Sequence, residues 1–405
     1  MSAGEIGYPE TEEEVARSVS EAHAAGLPIE IRGGGTRTGL GRPLQCASTL
    51  SLARLTGITN YDPSELVMAA RAGTPLAEVG TALAVNNQML TFEPMDHRPL
   101  LGSTGEPTIG GVFAGNVSGP RRILAGAARD NLLGVRFVNG AGDVVKSGGR
   151  VMKNVTGLDL VKLLAGSWGT LGVMCEVIFK VLPRPETSVS IAVSGLNDAE
   201  AAEAMAAAMA MSVEVSGAAH LPESVVSKVA DGRLKDGPLT VLRLEGLTPS
   251  VEVRSGRLVA EMRRRGEVSV LDTPETERLW RDIRDVKPFA SQHTKPVWRV
   301  SVAPNAGHQL VAALRLKTGV DAFYDWQGGL VWLQMEADPD ADLVRQYIKA
   351  LGGGHATLVR ADAATRASVP VFEPQPQVLE ALSRRIKDQF DPAGVLNPGR
   401  MTATI

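Results

Sequence analysis

Two cysteines in 405 residues are too few for a disulfide framework, and too few for the four thiolates of an iron–sulfur cluster. Cys46 and Cys175 read as small buried apolar residues in a reducing compartment. Charge of one sign is lacking as well. The 42 Lys and Arg nearly cancel 45 Asp and Glu, for a formal charge of −3. With no basic tract, nothing suggests nucleic acid or a membrane surface as a partner. No long hydrophobic run is present: the most apolar stretch, Leu160 to Leu182, is broken by Lys162, Glu176, Lys180 and several glycines, and cannot span a bilayer. The N-terminus is acidic and lacks the positive n-region and apolar core of a signal peptide. The expectation is a cytoplasmic protein, long enough for two domains or for one with an insertion.

What the chain has in quantity is glycine, 43 residues of it. The chain is organised around Ile29-Glu30-Ile31-Arg32-Gly33-Gly34-Gly35-Thr36-Arg37-Thr38-Gly39-Leu40-Gly41. Alternating β-branched residues suit a short strand, and the glycines that follow are too dense for any strand or helix. Read alone, the cluster is either a mobile surface turn or an anion nest whose N–H groups converge on a pyrophosphate. The order is helix, strand, loop: Thr11 and Glu14 form a capping box, Val15, Val19 and Ala22 recur at helical spacing, and Gly26 ends the helix before the strand Pro28–Ile31. Leu40-Gly41-Arg42-Pro43 is poor helix sequence, so a nicotinamide-binding Rossmann unit is disfavoured.

Further along, Thr49–Leu52 and Leu66–Arg71 read as strands, and Thr74-Pro75 as a helix start with Thr74 at the N-cap. A second glycine tract spans Gly102 to Gly119, with Ser103, Thr104, Thr108, Asn116 and Ser118 interspersed. It is either a packing loop or a surface on which a flat ligand lies against backbone. Arg121 and Arg122 follow, either a solvated pair or one that faces a phosphate or carboxylate. Leu132–Asn139 and Val144–Lys146 flank a hairpin turn, and Lys153–Leu160 leads into an apolar helix. A third glycine site, Gly166–Val173, opens the strand Val173–Val181. Pro183-Arg184-Pro185 marks a boundary. Beyond it, helices Ala199–Met211 and Ser250–Arg265 alternate with strands Leu239–Glu245, Val268–Leu271, Trp298–Val302, Gly329–Met335 and Ala356–Val359, as in an α+β domain whose helices cover an antiparallel sheet. A last helix starts at Gln377 and runs to Phe390.

Arg32-Gly33-Gly34-Gly35-Thr36, Thr108-Ile109-Gly110-Gly111 with Asn116 and Ser118-Gly119-Pro120-Arg121, Gly169–Val173, and the terminal Asp391-Pro392 with Leu396-Asn397-Pro398-Gly399-Arg400 together resemble the vanillyl-alcohol-oxidase/PCMH-type FAD flavoproteins over nearly the whole chain. Trp168, Val297–Ser301 and Asp325-Trp326 before Gly328-Gly329 are similar to the FAD-binding E subunits of bacterial glycolate oxidases. The resemblance implies an α+β fold: a two-part FAD-binding domain over 1–184, a smaller cap with an antiparallel sheet over 185–374, and a tail, 375–405, that returns to the first domain. It implies that Arg32 heads the loop in which Gly33, Gly34, Gly35, Thr36 and Arg37 present N–H groups to the FAD pyrophosphate. Thr104, Thr108, Gly110, Gly111, Asn116 and Arg121 would line the flavin and ribityl chain, Gly172 and Val173 would touch the cofactor through backbone, and Asn397 would approach the isoalloxazine ring. No histidine lies between Thr36 and Leu40, so non-covalent FAD is expected.

Many hydroxyacid-oxidising relatives carry histidine clusters that hold a metal. The matching stretches here, Asp325–Leu330 and Gly352–Thr357, contain only His355, so no metal is expected and no general base is identified. His355 alone reads as structural. Arg299 lies mid-strand among apolar residues, where either a substrate carboxylate or an internal salt bridge must neutralise it. Trp326 reads as core. The implied function is an FAD-dependent subunit of a glycolate (2-hydroxyacid) oxidase complex. Its implied partners are a small hydroxyacid substrate, a second flavoprotein subunit and an iron–sulfur subunit, with peripheral association at the inner membrane through that complex. The alternatives are a relay or scaffold subunit with no substrate oxidation of its own, and a free-standing oxidase.

Overall fold

A computed structural model describes residues 4–150, 158–234 and 237–404. The opening helix, Glu12–Ala25, begins and ends where its capping chemistry requires. Thr11 accepts the Glu14 N–H, and Gly26 adopts the left-handed conformation (φ 61°). Val15, Val19 and Ala22 form its buried stripe. The next strand, Ile29–Arg32, joins Ser48–Ser51 and Ile6–Gly7 in a small parallel sheet. A five-stranded antiparallel sheet follows, ordered Ile58–Asp62, Val67–Arg71, Val173–Lys180, Leu132–Val138 and Val144–Gly148.

The expected Thr74 cap is not formed. The helix starts at Leu76 with Pro75 at its cap position, because the Thr74 hydroxyl is committed to the backbone of Gly57, at 2.9 Å from its N–H. Of the two cysteines expected to be buried, Cys175 is, whereas Cys46 is only partly covered. Lys153 to Gly157, expected to lead into a helix, lie outside the described residues; the helix itself is Leu160–Leu164, capped by Asp159.

Residues 187–360 form an eight-stranded antiparallel sheet ordered Glu267–Leu271, Thr187–Ser194, Leu239–Gly246, Gly217–Leu221, Val320–Asp325, Leu330–Met335, Val297–Val302 and Gly354–Arg360. Strand alternation divides its side chains between two faces. Ile191, Val193, Leu242, Leu244, Trp298, Val300 and Tyr324 pack under the cap helices, among them Asp198–Ala210, Thr248–Met262 and Gly307–Arg315. Ala192, Val241, Val297, Phe323 and Trp332 face the other way and join the core of the N-terminal half. By the same alternation Arg243, Arg299 and Asp325 project toward that half.

Two ion pairs cross this seam. Arg243 grips Glu93 through two bonds of 2.9 Å, and Arg121 pairs with Glu245. Both lie in largely covered surroundings, where paired charges fix the relative placement of the halves.

The final helix, Gln377–Phe390, sends the chain back to the first strand. Asp391 is buried and accepts from Val395 N (3.0 Å), Leu396 N (2.8 Å) and Lys387 Nζ, while Lys387 also donates to Thr170 O and Leu396 O. This knot sets the parallel bridge of Leu396 to Ile29. Asp391→Ala strands a buried ammonium, so we expect a denaturant titration to show about 3–5 kcal/mol of lost stability. A loss under about 1 kcal/mol would mean the tail is held by other contacts.

Candidate functional site

The site grows from the loop after Ile29–Arg32. Its carbonyls are tied down from behind: Ser51 Oγ donates to Gly33 O, Ser103 Oγ to Thr36 O at 2.9 Å, and Arg400 Nη2 to Arg37 O at 3.0 Å. The N–H groups of Gly34, Gly35, Thr36 and Arg37 donate to no protein acceptor among the described residues. A run of unspent backbone donors on one wall has the makings of an anion nest.

Close backbone contact explains the glycines. A Cβ on Gly34 would lie 1.9 Å from the Glu106 carbonyl oxygen, and one on Gly33 would lie 2.2 Å from Thr108 Oγ1. A Cβ on Gly110 would meet Ala72, and one on Gly172 the ring of Phe137. Thr108 caps the short helix Ile109–Ala114 and accepts from Gly111 N.

These segments enclose one groove between the two N-terminal sheets. It is lined by Arg32 to Thr38, Thr108, Gly110, Gly111, Gly115, Trp168, Gly169, Gly172, Asn397 and Arg400. Arg37 enters it without a carboxylate partner among the described residues. Its Nε donates to His97 Nδ1 at 3.2 Å, and its buried Nη2 has no hydrogen-bond acceptor. Burial draws its pKa down to about 10, which still leaves the guanidinium charged. Ser167 Oγ, on the same wall, is likewise buried without a partner. Free peptide donors, an unpaired arginine and a long apolar slot fit a flat ring system carrying a diphosphate.

Asn397 spends its amide on the wall itself. Its Oδ1 accepts from Ile31 N at 2.7 Å and its Nδ2 donates to Trp168 O at 2.8 Å. It pins the strand to the Trp168 turn, where Trp168 and Asn397 both take positive φ (55° and 45°). Thr104 is exposed and Val173 buried in its strand, and neither lines the groove. Arg121 turns away to Glu245 across the seam.

A second cavity continues the groove, sharing Gly115 and Trp168 with it. Asn116, Arg122, Arg299, Asp325, Trp332 and His355 line it. Two cations lie over the Trp326 indole, with Arg122 Cζ at 4.6 Å and Arg299 Cζ at 4.9 Å from its centroid. Its Nε1 donates to Gly119 O at 3.0 Å, so it is core packing that also carries both guanidiniums. Neither arginine side chain forms an ion pair or hydrogen bond among the described residues, which removes the internal salt bridge as the explanation of Arg299. Desolvation, then repulsion from Arg122, lowers the Arg299 pKa to about 10. His355 sits on the cavity wall, exposed rather than deep in the core, and its pKa is lowered by partial desolvation and by Arg299.

Asp325 belongs to the Asp325-Trp326 motif, which assigned it no role. It ends the strand Val320–Asp325, and its Oδ1 caps the following turn at Trp326 N, 2.7 Å away. Burial raises its pKa to about 7, against the pull of the Trp326 N–H, Arg243 and Arg299. No group of three or more His, Cys, Asp or Glu able to hold a metal occurs among the described residues.

A family profile described as FAD binding domain matches residues 6–148. The chain is 35% identical over 403 residues to glycolate oxidase subunit GlcE of Escherichia coli, covering 96% of both chains. Glycolate oxidase subunit GlcD of Bacillus subtilis is 32% identical over 184 residues, 45% of this chain and 38% of that protein. Among solved structures, p-cresol methylhydroxylase with substrate bound superposes with a TM-score of 0.71 at 16% identity, covering 99% of this chain and 89% of the other. For 4-ethylphenol oxidase from Gulosibacter chungangensis the TM-score is 0.72 at 15% identity, with 98% and 88% covered. These last two establish the fold.

Proposed function

The chain belongs to the glycolate oxidase E-subunit family of PCMH-type, FAD-dependent oxidoreductases, and from that premise we propose that it is the FAD-binding subunit of a glycolate (2-hydroxyacid) oxidase complex. The observation that carries this reading is the row of free N–H groups at Gly34 to Arg37, facing a groove that opens onto an unpaired Arg299. Residues 1–184 and 375–405 would form the FAD-holding part and 185–374 the cap. The Gly33–Arg37 loop, with the Arg37 side chain, would hold the diphosphate of FAD, without a covalent bond to the protein. Bound FAD supplies a two-electron acceptor for the hydride that leaves the substrate's α-carbon.

Arg299 orients the substrate by its carboxylate, and Arg122 adds positive charge to the same cavity. The apolar walls around Trp168 and Trp332 keep water from competing for those guanidiniums. The chain has two cysteines, short of a cluster's four, so electrons leave to an iron–sulfur subunit, with a second flavoprotein subunit in the same assembly. No helix among the described residues is long and apolar enough to cross a membrane. Contact with the inner membrane would therefore come through the complex.

Anaerobic addition of glycolate or D-lactate to the FAD-loaded protein tests this. Bleaching of the flavin absorbance is the expected result, with all flavin released on denaturation. An unchanged spectrum with both acids would leave a relay subunit, and stoichiometric peroxide in air would identify a free-standing oxidase.

A further inference from the structure

The second cavity holds a carboxylate that the anchoring of substrate does not use. Asp325 is 3% exposed, and only its Oδ1 is committed, to Trp326 N. Among the described residues, no side chain or backbone donor reaches Oδ2. The residue lines the same cavity as Arg122 and Arg299. Two features fix its position there. Strand alternation places Asp325 and Arg299 on one face of the sheet, on strands separated by Leu330–Met335. The turn that follows holds Trp326, Gln327 and Gly328 at positive φ (51°, 63° and 90°), and the Asp325 cap stabilises that sparsely populated backbone.

We infer that Asp325 is the proton acceptor for the substrate hydroxyl in this cavity, set beside the arginine seat that receives the substrate carboxylate. The inference rests on the carboxylate seat proposed above. In the step, the hydroxyl O–H bond breaks and its proton passes to Asp325 Oδ2. The α-carbon C–H bond breaks, and its electron pair leaves with the hydrogen as hydride, for which FAD, when bound, would be the acceptor. The C–O bond becomes a carbonyl. The substrate loses two hydrogens and two electrons, and both are accounted for.

The charges that face Asp325 suit the role. Behind it lie Arg243 and Glu93, which are paired with one another. Around the cavity stand the unpaired Arg122 and Arg299, while Arg284 is neutralised by Asp285. His97 and His355 both have lowered pKa values, which leaves them neutral and weakly basic beside two cations. Asp325, poised near pH 7 by burial, is the group matched to take and return a proton at neutral pH. Because its folded pKa is raised, the acceptor form grows as pH rises through about 7.

The test compares wild type, Asp325→Asn and Arg299→Met as FAD-loaded protein in its complex. The amide keeps the Oδ1 contact to Trp326, and flavin content with the visible spectrum verifies that the site is intact. Calorimetry of oxalate binding in buffers of different ionisation enthalpy reads the protons taken up with the anion, independently of turnover. Anaerobic stopped flow reads flavin reduction by glycolate. We expect wild type to take up a fraction of a proton on binding oxalate at pH 7.5. Asp325→Asn should bind oxalate at least as tightly with no uptake, reduce flavin about 10²–10⁴-fold more slowly, and lose the acid limb of the pH–rate profile. Equal proton uptake and equal reduction rates in wild type and Asp325→Asn, with oxalate binding weakened only by Arg299→Met, would overturn the assignment of Asp325 and leave the seat standing. Absence of oxalate binding in wild type would overturn both.

Discussion

Gly34→Ala empties the protein of FAD. The added Cβ would lie 1.9 Å from the Glu106 carbonyl oxygen and 2.9 Å from its carbon, so backbone meets backbone and no rotamer change relieves it. The contact is reciprocal, since a Cβ on Gly105 would stand 1.6 Å from Gly34 O. The loop therefore has to lift off the Glu106 segment, and the free N–H groups of Gly34 to Arg37 stop converging. We expect FAD affinity, measured by quenching of flavin fluorescence, to fall by about a hundredfold or more, roughly 2.8 kcal/mol. Gly39→Ala is the comparison, because nothing lies within 4 Å of its added Cβ and its φ is ordinary; it should bind FAD as wild type does. Near-native affinity in Gly34→Ala, with an unchanged melting curve, would remove the loop from the diphosphate site.

Arg299→Met is the second large effect, and it falls on substrate rather than cofactor. The guanidinium rests on Trp326 and has no carboxylate partner among the described residues. Removing it breaks no direct ion pair, and Asp325 can answer by taking up a proton, so the change should cost little stability. Two charge-assisted bonds to a bound carboxylate would be lost, at about 1.5–3 kcal/mol each. The apparent dissociation constant for glycolate should rise at least a hundredfold, while flavin content stays full. Arg299→Lys should recover only part of the loss, because an ammonium cannot make the paired planar contact. A second signature is electrostatic. Arg299 helps to hold Asp325 ionised, so in Arg299→Met the acid limb of the pH–rate profile should move above pH 7. An unchanged glycolate affinity would mean that the carboxylate is seated elsewhere.

How much of this was readable in the chain differs from element to element. The Thr11 cap and the final helix Gln377–Phe390 are local features and fold as local rules require, although only half of the expected capping box forms, because Glu14 Oε2 accepts from Glu10 N rather than from Thr11 N. Thr74 failed as a cap because its hydroxyl is bonded to Gly57, 17 residues away, which no short window contains. Of two adjacent arginines, the motif Ser118–Arg121 singled out Arg121 for the flavin and gave Arg122 no role. The fold sends Arg121 to Glu245 across the seam and leaves Arg122 on Trp326. His355, read as a structural residue, turned out to line the cavity; its short glycine-rich approach gives no sign of which strand it will face.

Three glycine clusters and the tail motif sufficed to specify the cofactor and the family, because a diphosphate nest is made of consecutive peptide groups and is therefore written contiguously. The candidate substrate cavity was decided by tertiary structure. Its walls come from Arg122, Arg299, Asp325 and His355, which are far apart along the chain and meet only when an eight-stranded sheet turns one face to the N-terminal half. The ionisation of Asp325 is a property of that burial, and burial is not encoded by any single stretch of residues.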